Sequence, residues 1–579
     1  MENLYLLSRT VFPDDDFGDA PELFYRKKET CYLDPSTGPV RGERISFDTW
    51  MNLFPAKKYH AYCALGNIYL RVQGKGKGRI LLVGHTLDVT FSVIDDCLYG
   101  EDVNFAEGAV TLQIPAPFSY DGISFAFVHA ACDDAHILEA EWCTDAAPQR
   151  RQTIAIVTCT YRREAYIRKT IRKFTSFLQD APELAGQLHL FVIDNGRTLA
   201  ESDGNRYATI LPNKNAGGAG GFARGLMEAN DRKFTRCLFM DDDVQIFPET
   251  FSRTLHLAEY LKPEYQDAFL SGSMIDLYHK NQLFEILACR NGYWVAPYHS
   301  NYNLDHLYNV LKANDLPSSL FKDGQVDSAW WYACFSLKMF SSEYPIPAFI
   351  RGDDVEWSWR KPGTHHVYLN GICIWHAPFL WRVGRITDFY YFPRNMFLVH
   401  AIHNPDFREE YAGYLDGIFS HLRRSYDYIS IELFLMALED ILKGWRSYAE
   451  DPEEKHAALR SIASQAHVVP CHEIKELERV RDHDDALTTA SLGIAHEGWC
   501  DDGAYKGKRI VKVFNLMKKS YEVRRKDEAK DHYAVQRYQA LMHTLHDSYD
   551  ALLENLRQGY EIFKTRAFWD RYLGLNGKE

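Results

Sequence analysis

The sequence predicts a multidomain α/β protein: an N-terminal β-sandwich or jelly-roll-like domain over residues 1–150, a central α/β domain over 151–400 and a C-terminal helical domain over 401–579. Three observations predict it. A chain of 579 residues exceeds one ordinary hydrophobic core. After "DAAPQRR" the texture changes from short alternating apolar runs to strands separated by helices, and beyond residue 400 the apolar period becomes helical.

In the first region the runs "NIYLRVQGKGKGRILLVGH", "AVTLQIPAP" and "GISFAFVHA" alternate in polarity between glycine turns, as strands of an all-β sandwich or barrel do. No catalytic constellation appears there, and the string Asp14–Asp16 in "PDDDFGD" reads as a solvated turn. The second region runs "TIAIVTCTY", "REAYIRKTIRKFTSFLQ", "LHLFVIDNG", "GGFARGLMEAND", "CLFMDDDV". Apolar strands joined by helices predict a parallel sheet, whose ligands gather at the carboxyl ends of the strands. The third region contains "SIELFLMALEDILKGWRSYAED" and the long periodic segment from His532 to Phe563.

A net charge of −13 excludes general nucleic-acid binding, which needs a basic footprint. No apolar run approaches the ~20 residues of a membrane-spanning helix. The start "MENLYLLSRTVFPDDD" lacks a basic leader and cleavage site, so a cytoplasmic protein is expected. The twelve cysteines, scattered from Cys31 to Cys500, read as reduced packing thiols, and structural zinc is not expected. Between the C-terminal helical segments, Lys506, Lys508, Arg509, Lys512, Lys518, Lys519, Arg524 and Arg525 concentrate positive charge. Such a segment suits either a basic helix lying on the inner face of an anionic membrane or a solvated helix face.

The chemistry concentrates in the central region, where Asp241, Asp242 and Asp243 end an apolar run. Two carboxylates one residue apart at a strand end can share a hard divalent cation that bridges a diphosphate. An acidic turn capping the next helix is the plain alternative. In "NKNAGGAGGFARG" the glycines allow backbone N–H groups near a phosphate, with a helix N-terminus and Arg224 behind them. Gly218, Gly220 and Ala223 also fit a dinucleotide fingerprint. That fingerprint belongs directly after the first strand, which here leads into Arg162 and Arg163 without a glycine, and this argues against a dehydrogenase. In "AFIRGDDVEWSWR" the acids Asp353, Asp354 and Glu356 can serve as a general base and its neighbours, or cap a helix, or both. His376 in "GICIWHAPF" can complete a metal site or simply pack in a core, and the flat faces of Trp330 and Trp331 suit sugar rings or core packing.

The ordered set T-Y-R, V-I-D-N-G, N-x-G-G-x-G-G-F-x-R, M-D-D-D, W-W-Y, G-D-D-x-E and I-W-H, running from residue 158 to 376, resembles the GT-A fold, inverting family 2 glycosyltransferases. More narrowly it resembles the polymerising galactofuranosyltransferases of mycobacterial galactan synthesis. The resemblance implies a GT-A nucleotide-sugar transferase domain in which Asp241, Asp243 and His376 bind Mn²⁺ or Mg²⁺. It implies that Arg162, Asp194, Asn215 and Arg224 hold uridine diphosphate, with Asp242 among the substrate-binding residues. Asp354 would be the base, Asp353 and Glu356 would contact sugar hydroxyls, and Trp330 and Trp331 would line the acceptor site. The chain departs from the family in "RGDD", where an aromatic residue usually precedes the paired acids, and in a shorter length.

The function implied is metal-dependent, inverting transfer of galactofuranose from UDP-galactofuranose to a growing cell-surface polysaccharide or lipid-linked glycan. The partners implied are the UDP-sugar donor and the glycan acceptor, with peripheral membrane contact and a homo-oligomer left open. Two alternatives stand beside it: the same fold with a rhamnosyl or pyranosyl donor, and a non-catalytic glycan-binding assembly protein.

Overall fold

The structure is a computed structural model that describes residues 3–34, 38–90, 92–131, 134–292, 294–316, 325–340, 342–378, 384–470, 492–496, 509–515 and 518–575. Its N-terminal region holds two antiparallel sheets. One pairs Tyr5–Arg9, His136–Thr144, Ile68–Lys75 and Val110–Gln113 in that order; the other pairs Arg26–Asp34, Gly38–Ser46, Gly122–Ala130, Lys77–Leu87 and Val93–Asn104. The alternation read from the sequence is the alternation of burial: Ile68, Leu70 and Val72 face inward while Arg71 and Gln73 face water. Leu70 and Trp142 of the first sheet share one core with Ile80 and Phe125 of the second.

The acidic loop that reads as a solvated turn is instead a tether. Asp16 forms ion pairs with Lys169 (2.7 Å) and Lys173, and Asp14 reaches Lys173 at 3.1 Å. The Asp16 carbonyl accepts from Lys280 Nζ at 2.7 Å. A local window shows only the acids; the lysines that meet them lie more than 150 residues away.

In the central region a seven-stranded sheet runs in the order Ala208–Pro212, Leu188–Asp194, Ile154–Thr160, Arg236–Asp241, Ala333–Ser336, Phe269–Ser271, His366–Val367. The first four strands are parallel. Both faces of these strands are covered, which is why they read as continuous apolar runs. Ile154 and Ile156 pack with Ile167, Ile171 and Phe174 of helix Glu164–Asp180, while Ala155 and Val157 pack with Ala219, Phe222 and Ala223 of helix Gly217–Asp231. Beyond the acids the sheet departs from the all-parallel expectation, because Ala333–Ser336 pairs antiparallel with both of its neighbours. A second sheet begins with the two-residue strand Gln245–Ile246, which pairs antiparallel with Cys373–His376.

The C-terminal region is largely helical. Helices Phe392–His403, Phe407–Arg424, Tyr428–Leu442, Glu528–Phe563 and Arg566–Leu573 surround a core that continues into the central sheet, and helix Pro452–Ala463 packs on a smaller cluster through Leu459. The basic segment is not a helix. Ile510–Asn515 and Ser520–Arg525 form an antiparallel hairpin in a four-stranded sheet. Ile510, Val511, Val513 and Val523 are β-branched and favour a pleated, packed surface. Lys512 is buried, and the largely covered Arg524 side chain pairs with Asp427 at 2.8 Å, so neither is offered to a membrane. Lys506 and Lys508 lie outside the described residues. Among the described residues no helix is long and apolar enough to cross a membrane.

Two glycines of the glycine-rich helix exist for close packing. A Cβ at Gly221 would overlap Cys159, and one at Gly225 would overlap Val157, so the helix lies directly on strand Ile154–Thr160. Gly225→Ala gains intrinsic helix propensity of about 1 kcal/mol but forces this contact apart, which typically costs more, about 1–3 kcal/mol. The expected outcome is a lower unfolding midpoint in urea for Gly225→Ala; an unchanged or raised midpoint would contradict the packing described.

Candidate functional site

Strand Arg236–Asp241 delivers Asp241 at its carboxyl end, and the chain turns at once into Gln245–Ile246. The register Gln245↔Trp375 then brings His376 alongside the acids. His376 Nε2 lies 3.2 Å from Asp243 Oδ1 and 3.6 Å from Asp241 Oδ2. Its Nδ1 is 2.8 Å from the Ala377 carbonyl, which only accepts, so Nδ1 carries a proton and Nε2 turns toward the carboxylates. One ligand atom from each of Asp241, Asp243 and His376 lies within 4.8 Å of the others. Two hard oxygens and an imidazole nitrogen make a donor set suited to a divalent ion.

Asp242 is nearly buried, and burial pushes its carboxyl up. Arg163 Nη1 offsets this by pairing with Asp242 Oδ1 at 2.9 Å and with Asp243 Oδ2 at 2.7 Å. Of the two adjacent arginines it is Arg163, not Arg162, that meets the acids. Arg162 adopts a left-handed backbone (φ 56°) and its guanidinium lies 5.2 Å from the Tyr161 ring, outside the cavities described below. Sequence spacing cannot separate two adjacent arginines; the turn between them does.

A cavity of about 640 Å³ opens on one side of Asp241, walled by Asn195, Asn215, Gly217 and Gly218. Gly217 is required there, with φ 70° and no room for a side chain against the Phe349 carbonyl. The same carbonyl accepts from Gly218 N at 2.9 Å, so the phosphate cradle read from the glycine run is narrower than that run suggests. Asp194 and Arg224 lie behind this wall. Asp194 is fully buried, and its carboxylate accepts from the backbone N–H groups of Gly196 (2.9 Å), Thr198 (2.7 Å) and Leu199 (2.8 Å), which shapes the loop that presents Asn195. Arg224 pairs with Glu228 at 2.5 Å on its own helix. Neither side chain lines the cavity. Cys159 lines it, but burial pushes its thiol well up and no nucleophilic thiolate results.

On the other side of Asp241 a second cavity of about 610 Å³ holds Asp353, Asp354, Trp330 and Trp331. The two cavities share Asp241, Arg163, Gly218, Phe349 and Ile350 and form one cleft. Phe349, Arg351 and Gly352 all have left-handed backbones (φ 67°, 71° and 82°), a strained turn of the kind that collects at functional sites. Asn395 holds it, its Nδ2 donating to the carbonyls of Ala348, Ile350 and Arg351 at 2.8–3.0 Å. Gly352 stands where the resembled family carries an aromatic residue, and its φ explains the choice.

Burial raises the carboxyls of Asp353 and Asp354, and for Asp353 the charge of Asp354 adds to it. Burial, with Asp354 nearby, also pushes Glu285 up to about 8 and Asp327 well above the usual carboxylate range. Glu285 and Asp327 line this cavity and had no sequence signal, since each is a single acid in a short strand. Glu356 faces the other way. Although burial opposes it, the guanidinium of Arg360 and the imidazole of His403 hold Glu356 down to about 2. Its oxygens accept from Arg360 Nε (3.0 Å) and Tyr560 Oη (2.8 Å), so its partners are protein groups behind the cleft. Trp330 packs against Phe222 and Phe239, and Trp331 Nε1 donates to the Gly272 carbonyl at 2.9 Å; each is both core and cavity wall.

No protein-family model matches the chain. Over 500 residues it is 25% identical to galactofuranosyltransferase GlfT2 of Mycolicibacterium smegmatis, covering 79% of this chain and 74% of that protein. Over 511 residues it is 26% identical to galactofuranosyltransferase GlfT2 of Mycobacterium tuberculosis, covering 80% and 75%. Among solved structures, mannosyl-3-phosphoglycerate synthase from Rubrobacter xylanophilus is 14% identical, with a TM-score of 0.23 over 38% of this chain and 66% of that one, too slight a likeness to carry an argument. The acid–histidine cluster and the distant relationship together support a metal-dependent enzyme of the glycosyltransferase type.

The raised carboxyl of Glu285 has a stability consequence with a definite sign. In the unfolded chain it ionises near pH 4.5, whereas folded it stays protonated up to about pH 8. Stability carried by the neutral folded form is thus lost as pH rises between those values. Relative to Glu285→Gln, wild type should lose stability from pH 5 to pH 8 in urea unfolding; a difference independent of pH would refute the environment described.

Proposed function

We propose that this chain is an inverting glycosyltransferase that moves galactofuranose from UDP-galactofuranose onto a growing cell-surface or lipid-linked glycan. The observation that carries the proposal is the continuity of one cleft: the cluster of Asp241, Asp243 and His376 adjoins a cavity of nucleotide size on one side and Asp354 on the other. The names of the two mycobacterial relatives support the choice of sugar. The proposed units are residues 1–150, 151–400 and 401–579, with the cleft in the second.

In this reading Asp241, Asp243 and His376 hold Mn²⁺ or Mg²⁺, and the ion supplies positive charge to the diphosphate. Arg163 keeps Asp242 and Asp243 in place, and Asn195 and Asn215 line the donor side. Asp354 accepts the proton of the acceptor hydroxyl, helped by a carboxyl raised by burial, while Asp353 contacts sugar hydroxyls beside it. The hydroxyl oxygen attacks the anomeric carbon from the face opposite the diphosphate. The new C–O bond forms as the bond to the diphosphate oxygen breaks, the proton stays on Asp354 and UDP departs. One displacement inverts the anomeric centre. Trp330 and Trp331 offer ring faces to the acceptor. Membrane contact through a basic helix is not part of the proposal, because Arg509–Arg525 includes a partly buried hairpin.

The test is a panel of nucleotide sugars scored by UDP or dTDP release with and without Mn²⁺, followed by linkage analysis of the product. UDP-galactofuranose should turn over only with the divalent ion. Preferred turnover of a rhamnosyl or pyranosyl donor would replace the sugar assigned, and glycan binding without turnover would favour an assembly protein. Asp243→Ala should abolish metal-dependent turnover. Asp354→Asn should keep UDP binding yet lose transfer by about 10²–10⁴-fold, and normal turnover by that variant would require another base.

A further inference from the structure

The cavity on the donor side has a wall that does not come from the central sheet. Helix Pro452–Ala463 of the C-terminal region places Glu453, His456 and Arg460 on it, opposite Asn215, Gly217 and Asp241. Positions i, i+3 and i+7 share one helix face. The N-terminal half of the helix is held in place. Its N-cap residue Asp451, whose side chain accepts from the N–H groups of Glu453 and Glu454, pairs with Lys214 at 2.7 Å, directly before Asn215. Lys455 pairs with Asp440 at 2.9 Å and with Glu450 at 2.7 Å. The His456 ring packs on Phe349 at 5.3 Å and near-parallel on Tyr391 at 5.9 Å, with its Nδ1 3.3 Å from Tyr391 Oη. The helix thus extends from the Lys214 end of the cavity past Phe349, a residue shared with the acceptor side.

Charge then distinguishes Arg460. The other guanidinium on this cavity, that of Arg163, is paired with Asp242 and Asp243. Among the described residues no carboxylate pairs with Arg460, which is exposed to the cavity. Glu453 is seven residues away, about 10 Å along the helix, too far to be its partner. His456 does not add a competing charge, since burial and then Arg460 push its imidazole down and leave it neutral.

We infer that Arg460 is a diphosphate-binding residue of the donor site, contributed by the C-terminal helical region to a cleft whose acid cluster comes from the central region. The inference rests on the transferase reading above. A nucleoside diphosphate is the ligand whose chemistry fits: a polyanion between an acid pair that takes a divalent ion and a guanidinium with no acid of its own. The diphosphate gains negative charge as the sugar leaves, so the interaction strengthens along the reaction and the loss of Arg460 lowers kcat as well as affinity.

The test measures equilibrium binding of UDP to the full chain in Mn²⁺, with inorganic pyrophosphate and uridine as competitors, for wild type, Arg460→Ala and Arg460→Lys. Unchanged thermal unfolding of the variants checks that the exposed substitution leaves the fold intact. Arg460→Ala is expected to weaken UDP and pyrophosphate by about ten- to a hundredfold, the range of one charge-assisted hydrogen bond, with uridine unaffected and Arg460→Lys intermediate. Wild-type binding of UDP matched by Arg460→Ala overturns the inference alone. Equal weakening of uridine overturns it too, since Arg460 would then serve the nucleoside. Wild type that binds neither UDP nor pyrophosphate removes the donor-site reading and this inference together.

Discussion

Mutual repulsion among Asp241, Asp242 and Asp243 is the constraint around which the cleft is organised. Like charges on adjacent residues destabilise the fold unless something opposes them, and burial of Asp242 and Asp243 makes the demand greater. Arg163 answers for two of the acids from the start of the first central helix, and His376 reaches two from a neighbouring strand. The small antiparallel pair Gln245–Ile246 with Cys373–His376 is the device that makes the second answer possible. Remove that pairing and the acids have no reason to share a site with a histidine more than 130 residues downstream. The space left between Asp241, Asp243 and His376 is where a divalent ion would complete the charge balance.

A second balance of charge secures the side of the cleft that holds Asp353 and Asp354. The turn from Phe349 to Gly352 is strained, and it is tied to the helical region through Asn395. One turn of helix further on, buried Glu356 receives Arg360, His403 and Tyr560, the last two from C-terminal helices. Removing one partner from such a buried group leaves an uncompensated charge or polar atom, which costs several kcal/mol by general experience. Asp353 and Asp354 are therefore aimed into the cleft by contacts made behind it. The C-terminal helices act as part of the framework of the cleft, and helix Pro452–Ala463 extends that role into the cavity itself.

The glycine-rich segment shows how one motif can serve two physical ends. Gly217 and Gly218 form the cavity wall, where a side chain would fill the space against Phe349. Gly221 and Gly225, a turn and two turns later, bring the helix onto Cys159 and Val157. Close helix-to-strand packing fixes where the helix begins, and hence where its first N–H groups point. The phosphate-binding reading and the packing reading are consequences of a single placement.

Much of this was determined by the sequence itself. Period-2 runs specify the N-terminal sheets, apolar strands bounded by helices specify the parallel core, and acids at strand ends mark the cleft, because each of these is a local pattern acting on its own backbone. Asp241, Asp243, Asp354 and His376 were legible in this way, as residues of the right type at the ends of recognisable elements. The tertiary structure alone decided that Arg163 rather than Arg162 meets the acids, that Asp194 and Arg224 turn to neighbours, that Glu356 belongs to a knot behind the cleft, and that Glu285 and Asp327 line the cavity beside Asp354. For Arg163, whose partner Asp242 lies 79 residues on, and for Glu356, whose partner Tyr560 lies 204 residues on, the fold brings the partner close and no local window contains it. Asp194 and Arg224 instead take partners within five residues, and only the placement of their elements turns them from the cavity.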